Sequence, residues 1–293
     1  MHSIISNLKL FHNWVKKEDL NAHINLHQIV IDVCSGVGGD LTKICHLSPS
    51  LYICLEKDPT FIEQSKARYN TLTLKHRIPN IKWIQCDLTQ ISSYKMLVEK
   101  QILSPAFADV FSLQFAFTYF CESLPVCLNF LSWISFHLKP GGYFIGTTVD
   151  GEAVLQLLQN SNQYSNSVGT ITKLEKKDAS NKRDNDASPH KKLLIAKKVE
   201  ENGKELNDLA ALQTQFGQQV QSELKESILG ESGVSEFLVP FSAVKLLCES
   251  VSLQLVQTEM FAERYKTYPT QSLLPDEQTF SFLSRSFVFQ KKN

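Results

Sequence analysis

The chain has 293 residues, of which 43% are hydrophobic and 20% are charged, and its 30 basic residues balance its 30 acidic residues. A chain of this length can bury a large core in one domain or two. The zero net charge excludes a global basic surface of the kind that recruits nucleic acid, so a local group of cations must bind any anionic partner.

The seven cysteines are scattered, without a CxxC pair or a metal-ligand spacing with histidine. An odd, scattered count favours a reducing compartment and free thiols. No apolar run reaches transmembrane length, and the N-terminus lacks the pattern of a signal peptide. We therefore expect a cytoplasmic or nuclear protein that has no metal site and no membrane partner.

An apolar helical stripe occupies the first twenty-odd residues, and strands and helices alternate after it. The strands are predicted at 29–33, 51–55, 81–85, 108–114 and 143–148, and the helices at 40–46, 58–69, 124–138 and 153–158. This alternation predicts a mainly parallel sheet with helices on both faces and right-handed crossovers.

The alternation stops between Asn160 and Glu205, where Asn, Ser, Lys and Asp predominate. This composition predicts a solvated insertion, in which 170–174 and 193–196 could pair as an edge hairpin. The paired lysines of this segment could also meet phosphates, but a solvated surface is the simpler interpretation. Further elements that would complete the sheet are a helix at 242–249 and strands at 253–257 and 287–289.

The most informative segment runs from Val30 to Asp40 and reads VIDVCSGVGGD. A β-branched run leads into a turn whose glycines leave the backbone open to a close ligand. In an open α/β sheet, nucleotides bind at the carboxyl end of the first strand. The alternative interpretation of this segment alone is a glycine-rich turn that binds nothing.

Three acids, Asp32, Glu56 and Asp87, end three successive predicted strands and therefore open at one edge of the sheet. An acid about twenty residues after the glycine loop suits a ribose diol, and an acid after the third strand suits an adenine amino group. A dinucleotide loop would need a third glycine where Leu41 stands. An adenosyl ligand without pyrophosphate, such as S-adenosylmethionine, therefore fits better than NAD.

Further segments resemble the eukaryotic and viral mRNA cap guanine-N7 methyltransferases, and they follow the family's order along almost the whole chain. They are FHNWVK at 11–16, the glycine loop at 30–43, QFAFTYFCES at 114–123, KPGGYFIGTT at 139–148, EFLV at 236–239 and FVFQK at 287–291. The glycine loop is generic, whereas the QF, KPGGY and EFLV segments together are specific. The chain is also similar in length and divergence to the methyltransferase domain of capping enzymes from large cytoplasmic DNA viruses, such as asfarviruses.

The resemblance implies a Rossmann-like class I fold, a mainly parallel seven-stranded sheet with helices on both faces, which uses S-adenosylmethionine and releases S-adenosylhomocysteine. It implies that Lys16 pairs with the methionine carboxylate, Glu56 with the ribose hydroxyls and Asp87 with the adenine. The other cofactor-binding residues that it implies lie along the methionine part: Asp32, Gly36, Gly38 and Gln114.

For the substrate, the resemblance implies that Phe115, Thr118 and Tyr119 line a cap-guanine pocket and that Asn13 approaches the cap. Glu236 would accept hydrogen bonds from guanine N1–H and the exocyclic amine. Guanine N7 has a lone pair and no proton to lose, so its methylation needs positioning, by Tyr119 and Glu236, and no side-chain catalyst. The aromatic candidates to stack on the purine are Phe115, Phe117 and Tyr119, although Phe117 is equally suited to the core.

The implied function is methyl transfer to N7 of the 5′ guanosine cap of mRNA. The alternatives are a methyltransferase of the same fold with another substrate and a catalytically silent partner subunit. The implied partners are GpppN-capped RNA and the triphosphatase and guanylyltransferase domains of the same polypeptide or complex. A viral protein of this family would act in the cytoplasm, in viral factories or virions, and a cellular one in the nucleus.

We interpret residues 1–293 as one methyltransferase domain. Its predicted parts are a helical segment (1–27), a cofactor-binding core (28–159), a variable insertion (160–235) and a C-terminal part that completes the sheet and the cap pocket (236–293).

The chain departs from the family's pattern at four positions and from the nucleotide-loop consensus at Cys34, and altered cofactor or cap contacts are expected at all five. The departures are Cys34 for glycine, Val37 for lysine, Thr118 for histidine, Val149 for proline and Ser284 for tyrosine.

Overall fold

A computed structural model of the chain describes residues 6–72, 80–175, 206–225 and 233–292. The helices are α1 (Ser6–His23), α2 (Leu41–Leu47), α3 (Pro59–Thr71), α4 (Ile91–Glu99), α5 (Leu124–His137), α6 (Gly151–Leu157), α7 (Leu206–Gln215), α8 (Phe241–Ser250), α9 (Phe261–Lys266) and α10 (Pro275–Ser281). The strands are β1 (Ile29–Val33), β2 (Leu51–Glu56), β3 (Ile81–Gln85), β4 (Ala108–Gln114), β5 (Leu138–Val149), β6 (Gln163–Ser165), β7 (Gly169–Lys173), β8 (Gln219–Leu224), β9 (Val234–Phe237), β10 (Leu253–Met260) and β11 (Ser284–Lys291).

The main sheet has seven strands in the order β10-β11-β5-β4-β1-β2-β3. Strands β3, β2, β1, β4 and β5 pair in parallel, and β11 and β10 add antiparallel at the other edge. Strand order reverses between β1 and β4, which creates a crevice at the carboxyl ends of those strands. The predicted fold, a mainly parallel seven-stranded sheet with helices on both faces, is confirmed.

Most predicted boundaries lie within a few residues of the observed ones, because local signals fix them. The side chain of Asp58 accepts a hydrogen bond from the Thr60 amide and so caps α3, which begins at Pro59. Strand β5 begins earlier than predicted, at Leu138, and its pairing with β4 is irregular between Ala108 and Val110. Helix α4 was not predicted, because its segment has no cap and only one fully buried residue.

A second sheet corrects the prediction of a solvated insertion for the described part of residues 160–205. It has four antiparallel strands in the order β6-β7-β8-β9. Val168, Ile171 and Val220 are at most 4% exposed, and they pack in one apolar cluster with Leu8 of α1 and Phe280 of α10. The strands were not predicted because the segment is polar on average, whereas only the inward-facing residues of these short strands are apolar.

The expected edge hairpin is also wrong for the part of it that the structure describes. Strand β7 pairs with β6 on one side and with β8 on the other, so no edge of it is open to 193–196. The segment 193–196 and the lysine pairs between 176 and 198 lie outside the described residues. No helix in the described ranges has the length and apolarity that crossing a membrane requires.

Candidate cofactor and substrate sites

The glycine loop leaves β1 through backbone conformations that few side chains adopt. Gly36 and Gly38 have φ angles of 54° and 73°, and Cys34, which stands where the nucleotide-loop consensus has its first glycine, also lies at φ 54°. Arg68 of α3 donates a hydrogen bond to the Gly38 carbonyl at 3.1 Å. Helix α3 therefore holds the loop at Gly38. The loop is open at Gly36, where an added Cβ would meet nothing within 4 Å.

Glu56 ties the end of β2 to this loop. Its Oε2 accepts a hydrogen bond from the Gly36 amide at 2.8 Å, and its Oε1 accepts from the amides of Lys57 and Asp58 at 2.8 and 2.9 Å. A carboxylate oxygen has about two acceptor positions, so Oε2 keeps one for a ligand hydroxyl. The geometry is compatible with the ribose role predicted for Glu56.

Asp32 is buried at the end of β1, with 3% of its surface exposed. The hydroxyl of Tyr52, a fully buried residue of β2, donates a 2.6 Å hydrogen bond to its Oδ2. Burial and then the neighbouring Asp40 carboxylate raise the pKa of Asp32 to about 7, although Tyr52 and Lys16 oppose them. A carboxyl of this kind is poised to meet a cation, because a cationic ligand would favour its ionised form.

Lys16 and Lys43 share one carboxylate. Lys16 Nζ lies 2.9 Å from Asp40 Oδ1 and 3.0 Å from Oδ2, and Lys43 Nζ lies 2.7 Å from Oδ1. Burial would raise the pKa of Asp40, but the two ammonium groups outweigh burial and hold it below its usual value. The three side chains together carry one net positive charge beside the glycine loop, which suits a ligand carboxylate.

Two other residues predicted for the cofactor site are hydrogen-bonded within the protein itself. Asp87 Oδ1 accepts from the Thr89 amide and hydroxyl at 3.0 and 2.7 Å. Gln114 donates to Ser112 at 3.2 Å and accepts from Thr147 at 2.9 Å. Their roles toward adenine and methionine stay predictions.

The predicted cap residue Asn13 is exposed on α1 rather than in a pocket. Its amide donates to the Lys9 carbonyl at 2.9 Å, and its Oδ1 accepts from Lys43 Nζ at 2.8 Å. Asn13 thus extends the Lys43–Asp40 group, and its approach to the cap stays a prediction.

A cavity of about 260 Å³ lies between α1, the end of β4 and the second sheet. It brings together three residues predicted for the cap pocket, Phe115, Thr118 and Glu236. The lining is mainly apolar, with a few polar groups, as is usual for small-molecule sites. Thr118, Val149 and Ser284, three of the four departures from the family's pattern, all line this cavity.

Glu236 is a half-buried acid on β9 in the wall of the cavity. Burial raises the pKa of Glu236, and a hydrogen bond with Ser222 of β8 partly offsets this rise. Burial and then the charge of Glu236 raise the pKa of Tyr119. Tyr119 is 39% exposed, and the Lys57 ammonium lies 5.2 Å from its ring centre, so Tyr119 stands beside the cavity near both Glu236 and the end of β2.

Phe115 and Thr118 are fixed by the backbone around them. Phe115 has a φ of 55°, and its amide donates to the Thr147 carbonyl at 2.9 Å. Thr118 lies in a 3₁₀ turn, Phe117–Phe120, and its hydroxyl donates to the Phe237 carbonyl at 2.6 Å. Phe117 is fully buried among core aromatic rings, so its candidacy for purine stacking was wrong.

Sequence reasoning missed His12 and Tyr52. His12 lines the cavity, its ring stacks on Phe115 with centroids 5.1 Å apart at 12°, and its Nε2 lies 2.9 Å from the Ser281 hydroxyl. Burial and then Lys16 lower the pKa of His12 to about 3, so the ring is neutral. The FHNWVK segment contained a signal for His12, but nothing distinguished Tyr52 from a core residue of an apolar strand. No group of three His, Cys, Asp or Glu side chains in the described residues is placed to hold a metal ion.

The sheet order, the glycine loop at the carboxyl end of β1 and the acids that end β1 and β2 define a class I methyltransferase fold. Solved S-adenosylmethionine-dependent methyltransferases share it. One from Methanosarcina mazei matches with a TM-score of 0.55 and 10% identity over 93% of this chain and 96% of that chain. One from Clostridium acetobutylicum matches with a TM-score of 0.53 and 10% identity over 98% and 92%.

The particular family is identified by sequence. The family described as the mRNA (guanine-N(7))-methyltransferase domain matches residues 1–190, and the chain belongs to it. The mRNA cap guanine-N(7) methyltransferase 1 of Oryza sativa is 25% identical over 91% of this chain and 64% of its own length. The Arabidopsis thaliana protein of that name is 24% identical over 99% of this chain and 76% of its length.

A viral relative is much longer than the matched region. A protein of Acanthamoeba polyphaga mimivirus, named as an mRNA-capping enzyme, is 22% identical over 89% of this chain and 22% of its own length. The chain therefore spans about a fifth of that relative and just under two thirds of the rice protein.

Proposed function

We propose that this protein transfers the methyl group of S-adenosylmethionine to N7 of the 5′ guanosine cap of mRNA. One observation carries the proposal beyond family membership. A mainly apolar cavity has a single acid among its lining residues, Glu236, together with the ring of Phe115. Such a cavity can stack a purine on an aromatic ring and read its hydrogen-bond donors with one carboxylate.

The charges around the loop fit each part of the cofactor. The buried carboxyl of Asp32 suits the ammonium group, and the Lys16–Asp40–Lys43 group suits the carboxylate. The acceptor position on Glu56 Oε2 suits a ribose hydroxyl. S-adenosylmethionine, when bound there, supplies an electrophilic methyl group, and the residues of the chain bind and orient it.

The substrate needs positioning rather than proton transfer. Guanine N7 attacks with a lone pair and loses no proton, so no general base is required at the cavity. Holding two reactants in line can lower a barrier by roughly 7–11 kcal/mol. Stacking on Phe115 would contribute about 1–3 kcal/mol per base.

Glu236 would act by electrostatics as well as by recognition. Positive charge moves from the sulfonium to the purine during transfer, and an ionised carboxylate in a mainly apolar cavity stabilises such charge more than it would in water. The donors at guanine N1 and the exocyclic amine would favour that ionised form, against the burial that raises its pKa.

The other steps of cap formation belong to partners in this proposal. The matched region is about a fifth of the mimivirus relative, which leaves room in that polypeptide for further domains. We propose that triphosphatase and guanylyltransferase activities act before this protein, in the same polypeptide or in a complex, and supply GpppN-capped RNA.

The test uses tritiated S-adenosylmethionine with GpppA and with m7GpppA as acceptors. We expect label on GpppA and none on m7GpppA, because N7 of the latter is already occupied. Equal labelling of the two acceptors would contradict N7 transfer. A silent partner subunit would label neither acceptor, and S-adenosylhomocysteine would not raise its melting temperature.

A further inference from the structure

Tyr52 is a buried hydroxyl whose observed partner is the acid at the centre of the proposed cofactor site. Its side chain is fully buried on β2, and its hydroxyl lies 2.6 Å from Asp32 Oδ2. Parallel pairing sets Asp32 opposite Cys54, so Tyr52 reaches it from the diagonal position two residues earlier. The bond occupies one carboxylate oxygen and fixes the plane of the group.

We propose that Tyr52 is a positioning residue that controls cofactor binding through Asp32, by holding one carboxylate oxygen and fixing the plane of the carboxylate. The inference rests on the proposed function, since the ligand is the ammonium group of S-adenosylmethionine or S-adenosylhomocysteine. Tyr52 itself does not touch that ligand, because its hydroxyl is spent on Oδ2.

The groups that face Asp32 act in opposite directions. The carboxylates of Asp40 and Glu56 disfavour its ionised form, whereas Lys16 and the Tyr52 hydroxyl favour it. Lys43 also interacts with it, and the thiols of Cys34 and Cys54 lie close by. Together with burial, these groups raise the pKa of Asp32 to about 7.

The sign of the linkage follows from this balance. Without ligand at neutral pH, Asp32 is divided between its protonated and ionised forms. An ammonium group selects the ionised form, so binding near pH 7 releases a proton, and affinity falls as pH drops below about 7. Removing the Tyr52 hydroxyl takes away a group that favours ionisation, which moves this fall to higher pH.

The experiment measures binding of S-adenosylhomocysteine by titration calorimetry between pH 5.5 and 8.5. For the unaltered protein we expect nearly constant affinity above pH 7.5 and a loss approaching tenfold per pH unit well below 7. For Tyr52→Phe we expect about three- to tenfold weaker binding at pH 7.5 and a smaller deficit at pH 8.5. A uniform loss at every pH would indicate a merely structural role and overturn the inference.

The matched control is Tyr265→Phe, which removes a hydroxyl that accepts a 2.9 Å hydrogen bond from the Leu273 amide. It should keep the pH profile of the unaltered protein. A second measurement needs no variant. Calorimetry in two buffers of different ionisation enthalpy gives the number of protons that are released when S-adenosylhomocysteine binds. We expect release of about half a proton at pH 7, and no release would overturn the inference even if Tyr52→Phe failed to fold.

The two proposals fail in different ways. If the unaltered protein binds S-adenosylhomocysteine at no pH in this range, the proposed function fails. If it binds, and Tyr52→Phe has the same pH midpoint, only the role of Tyr52 fails.

Discussion

Asp32 is held in the fold at a cost to stability. Its carboxyl has a pKa of about 7 in the folded protein against an ordinary value of 3.8, mainly because it is buried. The unfolded chain therefore loses this proton first as pH rises, and folding stability falls through the window from about 4 to about 7. Below that window both states are protonated, and Asp32 no longer affects stability.

Replacing the acid should therefore stabilise the ligand-free protein. Asp32→Asn keeps the size of the side chain and an acceptor for Tyr52 but cannot ionise. A pKa difference of one unit is worth about 1.4 kcal/mol, so even a third of the shift would raise the melting temperature by about 2–4 °C at pH 8. Scanning calorimetry should show this gain shrink toward pH 4, and binding of S-adenosylhomocysteine should weaken. A lower melting temperature at pH 8 would contradict the assigned environment of Asp32.

Glu236 should matter for the acceptor and not for the methyl donor. Glu236→Gln keeps the shape but loses the charge and one acceptor for the guanine donors. We expect kcat/KM for GpppA to fall at least about 30-fold, since truncating one partner of a buried charged hydrogen bond costs about 2–5 kcal/mol. Affinity for S-adenosylhomocysteine should be unchanged.

The control for Glu236 lies on the same sheet. Glu223 of β8 is exposed, and Glu223→Gln should leave kcat/KM within about twofold. Equal losses of kcat/KM in the two variants would show that the cap guanine does not bind at Glu236.

At the residue level, the sequence revealed the acids and concealed their partners. Asp32 and Glu56 could be predicted because each follows an apolar run near the end of a strand. Tyr52 could not, since a tyrosine within such a run looks like core, and only the diagonal across β1 and β2 shows what its hydroxyl reaches. His12 was hidden for a related reason, because its partners Phe115 and Ser281 are distant in sequence.

The conformation of the loop between β1 and α2 requires glycine at position 38, because of its backbone angle and because of its close neighbours. Gly38 has a φ of 73°, and a Cβ there would lie 2.5 Å from Leu41 and 2.6 Å from Ser65. Left-handed backbone costs about 1–2 kcal/mol for an L residue, and overpacking typically costs about 1–3 kcal/mol.

Gly38→Ala should accordingly lower the free energy of unfolding by at least about 2 kcal/mol. Gly39→Ala is the matched control, because a Cβ on Gly39 meets nothing within 4 Å, and it should change stability by less than about 0.5 kcal/mol. Urea denaturation of both variants is the measurement. Similar losses in the two would contradict the described loop conformation.

The side chain of Thr118 links the 3₁₀ turn to strand β9. The hydroxyl of Thr118 donates to the Phe237 carbonyl at 2.6 Å, next to Glu236. Thr118→Val keeps the volume but leaves this carbonyl without that donor, which costs about 1–3 kcal/mol when buried.

We expect Thr118→Val to raise KM for GpppA about three- to tenfold, because β9 would hold Glu236 less firmly. The dissociation constant of S-adenosylhomocysteine should stay within about twofold. A change in the affinity for S-adenosylhomocysteine without a change in KM for GpppA would show that the 3₁₀ turn supports the cofactor site instead.

At the element level, the main sheet was predictable and the second sheet was not. Each strand from β1 to β5 is an apolar run between turn signals, and such runs are visible locally. Strands β6 to β9 are short and polar on one face, and β7 pairs with β8 across a segment of more than forty residues. Their inward residues, such as Ile171 and Val220, have meaning only against α1 and α10.

The molecule as a whole has no net charge to draw RNA toward it. Binding affinity falls with salt concentration, and a plot of log affinity against log salt becomes steeper with each phosphate that the protein neutralises. The slope changes by about 0.9 per phosphate for duplex DNA and by about 0.7 for single strands. We expect KM for GpppA and for a capped RNA of about 30 nucleotides to differ less than about threefold, with a salt dependence that corresponds to three phosphates or fewer. Steady-state kinetics at 50 and 200 mM salt would test this.

The opposite result would also be informative. A KM that falls more than tenfold with RNA length would mean that a local group of cations holds the RNA, and the lysine pairs between 176 and 198 would be the first to replace by glutamine.

The proposed cofactor site and the cavity have separate origins in the chain. The cradle for the methyl donor comes from β1, β2 and the loop between β1 and α2, whereas the wall with Glu236 belongs to a sheet inserted between α6 and α8. Loops and insertions at the second sheet can change without altering the first cradle. Substitutions can therefore change acceptor specificity during evolution while the methyl-donor site is conserved. Thr118, Val149 and Ser284 line the cavity, where we expect such divergence to appear first.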